Sequence, residues 1–329
     1  MNSPSTIWLR RFSKLNVIST LFLIFVGALV KSHEVGLSVP DWPTTYGKQM
    51  FAFPLSEMVG GIFYEHGHRM VATIVGFFTM VQAIWLGLSD EPNWLKNSGY
   101  IAFSLVVIQG LFGGITVLFF LPTPVSIIHG ILAQTFFMMV IFIAYGLSIE
   151  RSVRSYKVVS KDIRKGALLI GGLVYMQLIL GALMRHTASG LAIPDFPTMG
   201  GMWFPTFSET MINNINATLF DMDRDMVAKA QVIFHFIHRL GAVIVTGVVG
   251  YVVHRYRSTI KNIPILEKTL WWIVGIVLVQ FTLGSATVLS ERLPYVASFH
   301  VVIGAALLGI CTLFILRCHP ARWVDWNRS

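Results

Sequence analysis

The chain has 329 residues, 54% of them hydrophobic and only 12% charged, about half the charged share of a soluble domain. That balance excludes an ordinary water-soluble globular protein. The formal net charge of +9 does not indicate nucleic acid as a partner, because the basic residues sit in short segments between long apolar runs.

A basic stretch with Arg10, Arg11 and Lys14 leads into the first apolar run, which ends at Lys31 with no small-residue cleavage site. It reads as a transmembrane helix rather than a signal peptide. The apolar runs approach or exceed the roughly 20 residues that cross a bilayer. They define eight spans, at about 15–33, 66–88, 98–120, 125–148, 166–186, 230–253, 269–290 and 295–317. Pro122 and Pro124 separate the third and fourth, and Pro294 separates the seventh and eighth; proline stops one helix and starts the next. The runs are rich in Leu, Ile, Val, Phe and Gly, which suits helices and not a barrel. The expected fold class is an all-α polytopic membrane protein. Cys311 and Cys318 are read as two free thiols, too far apart on one helix to pair.

Charge orients the spans. Arg10, Arg11 and Lys14 fall on one side with Arg151, Arg154, Lys157, Lys161, Arg164 and Lys165. Arg255, Arg257, Lys261 and Lys268 join them, as do Arg317, Arg322 and Arg328. The long loops 34–64 and 187–229, richer in acid than base, fall on the other. Both termini are therefore expected on the cytoplasmic or matrix side.

The chain also repeats. Gly27-Ala28-Leu29-Val30-Lys31 matches Gly181-Ala182-Leu183-Met184-Arg185, and the stretch Gly36 to Pro43 matches Gly190 to Pro197. Gln109 and Gly113 match Gln280 and Gly284. The expected organisation is a tandem, parallel duplication of a four-helix bundle. Residues 1–148 form the first half, 149–165 a cytoplasmic linker and 166–329 the second half. Glycines at close spacing, such as Gly110, Gly113 and Gly114, read first as helix-packing residues.

Each half carries two histidines at nearly one separation. His68 and His129 are 61 residues apart, and His238 and His300 are 62 apart. All four fall early in spans that run inward from the same side. An ionisable group at that depth is costly unless it is used. Two imidazoles on facing helices suit axial ligation of a haem iron, whereas zinc asks for three or four ligands. The expected content is one haem per half, on His68 with His129 and on His238 with His300.

Arg69 and Arg239 follow the first histidine of each pair and are candidates to meet a haem propionate or a loop carboxylate. Lys31 and Arg185 are weaker candidates for the same task. Gln109 and Gln280 are read as polar contacts across the bundle. Glu65 lies one turn before His68 on the same face, and the matching position in the second half is His235. A carboxylate beside a reacting cofactor suits proton transfer, so Glu65 is the candidate catalytic residue. The aromatic residues of the long loops, Trp42, Phe51, Phe53, Trp203, Phe204 and Phe207, are read as an interfacial cap.

Together these features resemble the haem A synthase family, which has bacterial and mitochondrial members. The resemblance spans nearly the whole chain: eight spans in two halves, Glu65 with His68-Arg69, His129, His238-Arg239, His300 and the paired loop motifs. It implies oxidation of the C8 methyl group of haem O to a formyl group, giving haem A for cytochrome oxidase. It further implies that His68 and His129 accept the substrate haem, that Glu65 is essential, and that His238 and His300 hold haem b. The implied partners are haem O, membrane lipid, a haem O synthase, cytochrome oxidase assembly factors and an electron acceptor or donor. Some bacterial members carry a cysteine pair in an outer loop; this chain has none there, and the mitochondrial-like group also lacks it. The short N-terminus favours a bacterial inner membrane.

Two other readings stand beside this one. A di-haem b-type cytochrome would pass electrons from a quinol, but its histidines usually lie toward both membrane sides. A transporter or assembly protein with structural histidines would be colourless.

Overall fold

A computed structural model describes residues 4–153 and 159–319. The basic residues Arg154, Lys157, Arg322 and Arg328 lie outside the described residues. The described chain is all helical, with eight helices long and apolar enough to cross a membrane. These are α1 (Pro4–Ser32), α2 (Gly60–Leu88), α3 (Asn93–Leu118), α4 (Thr123–Gly146), α6 (Lys161–His186), α8 (Lys229–Ile260), α9 (Pro264–Leu289) and α10 (Pro294–Cys318). Two shorter α-helices, α5 (Ile149–Val153) between α4 and α6 and α7 (Glu209–Asp221) between α6 and α8, and two single-turn 3-10 helices, Met50–Ala52 and Leu55–Glu57, complete the described order.

The helices overrun the apolar runs that announce them. α1 begins well before residue 15, and α8 continues past residue 253 to Ile260. Hydropathy reports the thickness of the apolar layer, whereas the backbone keeps its ladder until a cap or a turn ends it. At the N-terminal end of α1, Arg10 donates to the carbonyl of Leu147 at 2.6 Å. α6 opens on Ser160, whose hydroxyl accepts from the N–H of Ile163, and α4, α9 and α10 each have proline in the first turn. Both are favoured helix starts.

Contacts close α1, α2, α3 and α4 into one ring and α6, α8, α9 and α10 into another. The rings meet along α10, which packs on α1 and α4, and along α4 against α6. α10 is the most enclosed span, and its Gly309 lets Phe137 and Ile141 of α4 approach closely. Small residues at such crossings replace the hydrophobic drive that lipid removes. Polar bonds add to the seam. Thr135 and Tyr175 hydroxyls are 2.8 Å apart, Ser298 donates to Ser32, and Arg317 holds Glu150 through two bonds of 2.8 and 2.7 Å. Cys311 and Cys318 are both buried, and no disulfide joins them.

The sequence reading left the 187–229 segment as a loop, but α7 lies within it. Ser208 caps α7 by accepting from the N–H of Met211, and Met211, Ile215 and Leu219 bury one face against Leu191, Ala192, Ile193, Val232 and Val288. That i, i+4, i+8 stripe is an amphipathic signature.

Candidate functional site

Each long loop is fastened to the helix that follows it by an arginine. On α2, Arg69 donates to the carbonyls of Val39 at 2.7 Å, Asp41 at 2.6 Å and Thr44 at 3.1 Å. On α8, Arg239 donates to the carbonyls of Ile193 at 2.8 Å, Asp195 at 2.9 Å and Thr198 at 3.1 Å. The guanidinium fork supplies several donors in fixed directions, so one side chain collects three carbonyls that would otherwise be orphaned. Both arginines also line the internal cavity described below.

Inside each loop an aspartate closes a turn. Asp41 accepts from the N–H groups of Tyr46 and Gly47 and from the Thr44 hydroxyl. Desolvation raises its pKa, but these donors outweigh it and hold the carboxyl at about 2. Asp195 accepts from the N–H groups of Gly200 and Gly201. There too desolvation is outweighed by bonds from Thr198, Gly201 and Gly200, and the carboxyl lies below its ordinary range. Gly200 and Gly201 have positive φ, a conformation glycine adopts without strain.

Glu65 is buried, with 3% exposure. Its Oε2 accepts from the N–H of Val39 at 2.8 Å, and its Oε1 accepts from Arg69 at 2.6 Å. His235 takes the corresponding place on α8. Its Nδ1 accepts from the N–H of Ile193 at 3.1 Å, and its Nε2 stands 3.2 Å from Nε of Arg239. His66, also buried, lies 3.0 Å from the Thr45 hydroxyl through Nδ1.

His68, His129, His238 and His300 all line one cavity of about 2430 Å³ between the helices. That is more than twice the space a single drug-sized ligand ordinarily occupies, about 300–1,000 Å³. All four lie within about three turns of the N-terminal ends of their helices, which are the ends joined by the long loops.

Each imidazole rests over a glycine of the preceding span. A Cβ on Gly27 of α1 would stand 2.9 Å from Cε1 of His68, and one on Gly113 of α3 would stand 3.3 Å from that of His129. The distance is 3.2 Å from Gly181 of α6 to His238 and again from Gly284 of α9 to His300. Packing glycines thus act as seats for the four rings, a role that helix-packing spacing alone did not distinguish.

The geometry fits a tetrapyrrole metal. The rings of His238 and His300 are 6.4 Å apart between centroids. With metal–imidazole bonds of about 2 Å, two rings on opposite sides of one metal have centroids about 6 Å apart. Buried Nδ1 atoms of His68, His129 and His300 have no hydrogen-bond partner, an arrangement that costs free energy unless the rings are used. Among the described residues, no group of three or more His, Cys, Asp and Glu side chains converges as a closed metal site would. Other sequence candidates lie at the rim. Arg185 donates to the Ala28 carbonyl and the Ser32 hydroxyl, and Lys31 lines the same cavity.

Glutamines complete the site. Gln109 and Gln280, read from sequence as cross-bundle contacts, donate to the carbonyls of His129 and His300 at 3.0 and 2.8 Å. Gln177 does the same for His238 at 2.8 Å. The sequence reading missed Gln177, although its spacing of four from Gly181 equals that of Gln109 from Gly113 and of Gln280 from Gly284.

Comparison with known proteins gives this geometry a family. A family model described as "Cytochrome oxidase assembly protein", COX15-CtaA, matches residues 10–312. A protein of Halalkalibacterium halodurans named heme A synthase is 24% identical over 327 residues, 98% of each chain. One of the same name from Orientia tsutsugamushi is 26% identical over 368 residues, 96% of this chain and 97% of its own. Another, from Rickettsia prowazekii, is 25% identical over 331 residues, covering 91% and 95%. The four seated histidines and the two arginine-fastened loops are thus features of a chain that belongs to the COX15-CtaA family of cytochrome oxidase assembly proteins.

Proposed function

We propose that the protein is a haem A synthase, an oxidoreductase that converts the C8 methyl group of haem O to the formyl group of haem A. The observation that carries this reading is the set of four glycine-seated imidazoles on one internal cavity. Haem A synthase is also the name of the relatives that match along nearly the full chain. The organisation we propose is a parallel duplication, with residues 1–148 and 166–329 as halves joined by 149–165. Paired contacts support it: Arg69 with Arg239, Asp41 with Asp195, and the bridge Thr45–Lys48 with Met199–Met202.

In this reading His68 and His129 hold the substrate haem O and release haem A, while His238 and His300 hold haem b. The haems, when bound, supply the redox chemistry, and the protein supplies ligation, orientation and protons. Glu65 is the proton-handling group. Oε1 accepts from the Arg69 guanidinium and Oε2 from a neutral main-chain amide, so Oε2 is the better placed to take up a proton and give it back. Arg69 and Arg239 support the haem sites by fixing the loops that close the cavity. The seats under the rings exclude movement along one side, and the mostly apolar lining favours a flat apolar ring over water.

The chain then lies in a bacterial inner membrane, with its basic end and both termini in the cytoplasm and its long loops outside. Its partners are haem O, lipid, a haem O synthase, cytochrome oxidase assembly factors and an electron acceptor or donor. The four histidines gather toward one end of the bundle, which suits a shared reaction chamber better than electron transfer across the bilayer. Expression in cells that make haem O but no haem A tests the reading. Haem A is expected in the membrane extract, and haem O alone, with the protein present and loaded, overturns it.

A further inference from the structure

Three of the four cavity histidines are clamped to the preceding span by a glutamine, and the fourth is not. Gln109, Gln177 and Gln280 each stand four residues before the seat glycine and donate to the main-chain carbonyl of His129, His238 and His300. The same place before Gly27 is Leu23, and α1 contains no glutamine. Leu23 lines the cavity but has no hydrogen to donate.

The clamp acts on the histidine residue itself. An amide bond to the carbonyl, inside a span where no water can replace it, fixes the height and rotation of that helix at that residue. Other restraints do not leave His68 the looser of the two first histidines. α2 is fastened to its loop through Glu65 and Arg69, and α8 through His235 and Arg239. Both first histidines also have glycine seats. The difference that leaves His68 the freer of the two is Leu23 against Gln177.

Resting on the proposed haem sites, we propose that His68 is the yielding ligand of this protein. His129 stays fixed, His68 withdraws, and both histidines of the second half hold fast. The asymmetry matches the tasks, since a substrate must enter and leave the first site while a resident cofactor stays in the second. Gln109, Gln177 and Gln280 are then positioning residues, acting through the histidines they hold.

Cyanide uptake by the oxidised, haem-loaded protein tests this, because cyanide binds only where an axial position opens. Optical and magnetic-resonance signals are assigned to sites with His129→Ala and His300→Ala variants. In the wild type the first site is expected to take up cyanide and the second to resist it. Leu23→Gln should slow uptake at the first site at least tenfold with haem content unchanged, and Gln177→Leu should open the second. Should Leu23→Gln fail to accumulate, Gln177→Leu carries the test alone. A loaded protein whose uptake ignores the substitutions overturns this inference and leaves the proposed function standing. A protein that holds no haem overturns both.

Discussion

Glu65 on α2 and His235 on α8 stand against the same two kinds of partner, a loop N–H and the arginine one turn on. They do not meet them equally. A carboxylate accepts both bonds, whereas a neutral imidazole accepts at only one nitrogen. Fastening the loop therefore does not require a carboxylate, which fits the proton-handling role proposed for Glu65. Glu65→His should keep the fold and the haem but lower haem A formation by at least about 100-fold, the scale on which a lost proton-transfer group is felt. Glu65→Gln should do the same. Haem A formation at the wild-type rate by Glu65→His would reduce the residue to a loop fastener.

The arginines differ in the same way. Arg69 and Glu65 form a pair with side chains 8% and 4% exposed, and removing one member of a buried pair costs about 3–5 kcal/mol. The side-chain hydrogen-bond partner of Arg239 is the neutral His235, and no carboxylate among the described residues is bonded to it directly, so its loss removes bonds from a charged donor at about 1.5–3 kcal/mol. Thermal unfolding in detergent should therefore fall further for Arg69→Ala than for Arg239→Ala. Equal falls would contradict the charge asymmetry.

The seat glycines predict site-selective loss. Alanine at Gly181 or Gly284 places a methyl group 3.2 Å from an imidazole carbon, a crowding that costs about 1–3 kcal/mol in a packed site. Each variant should lose haem b while keeping the other haem, and Gly27→Ala or Gly113→Ala should do the converse. Pigment stoichiometry on the purified variants reads this directly, and full content of both haems in all four would remove the seats from the site.

Much of this was legible in the residues. Eight spans follow from hydropathy, and the structure has eight long apolar helices where the spans were expected; the four histidines that spacing singles out all line one cavity. Helix ends were not legible, because α1 and α8 continue beyond the apolar layer. α7 was hidden in a segment where apolar and polar residues alternate without a run long enough to cross a membrane, although Ser208 and the Met211–Ile215–Leu219 stripe announce it. The arginines read as groups for carboxylates, but their guanidinium hydrogens go largely to main-chain carbonyls, whose orientation no sequence spells out. Gln177 is not legible from internal similarity, because Leu23 and not glutamine stands four residues before Gly27.

The loop turn at Asp41 should respond to acid only at low pH. Its carboxyl is held at about 2, below the ordinary 3.8. The turn therefore keeps its full contribution above pH 3.8 and loses it as pH falls toward 2. Trp42, beside Asp41, reports the change as a difference in fluorescence between the wild type and Trp42→Phe. A constant difference from pH 7 to 4, changing below, is expected; a transition centred near pH 5 would contradict the hydrogen-bond assignment.

Pigment extraction from purified wild type and the four histidine variants bears most directly on the haem sites. Two haems per chain are expected, haem b with haem O or haem A. His238→Ala and His300→Ala should lose haem b, and His68→Ala and His129→Ala should lose the substrate haem. A colourless wild-type protein, or variants that keep both pigments, would contradict the pairing of these histidines about iron.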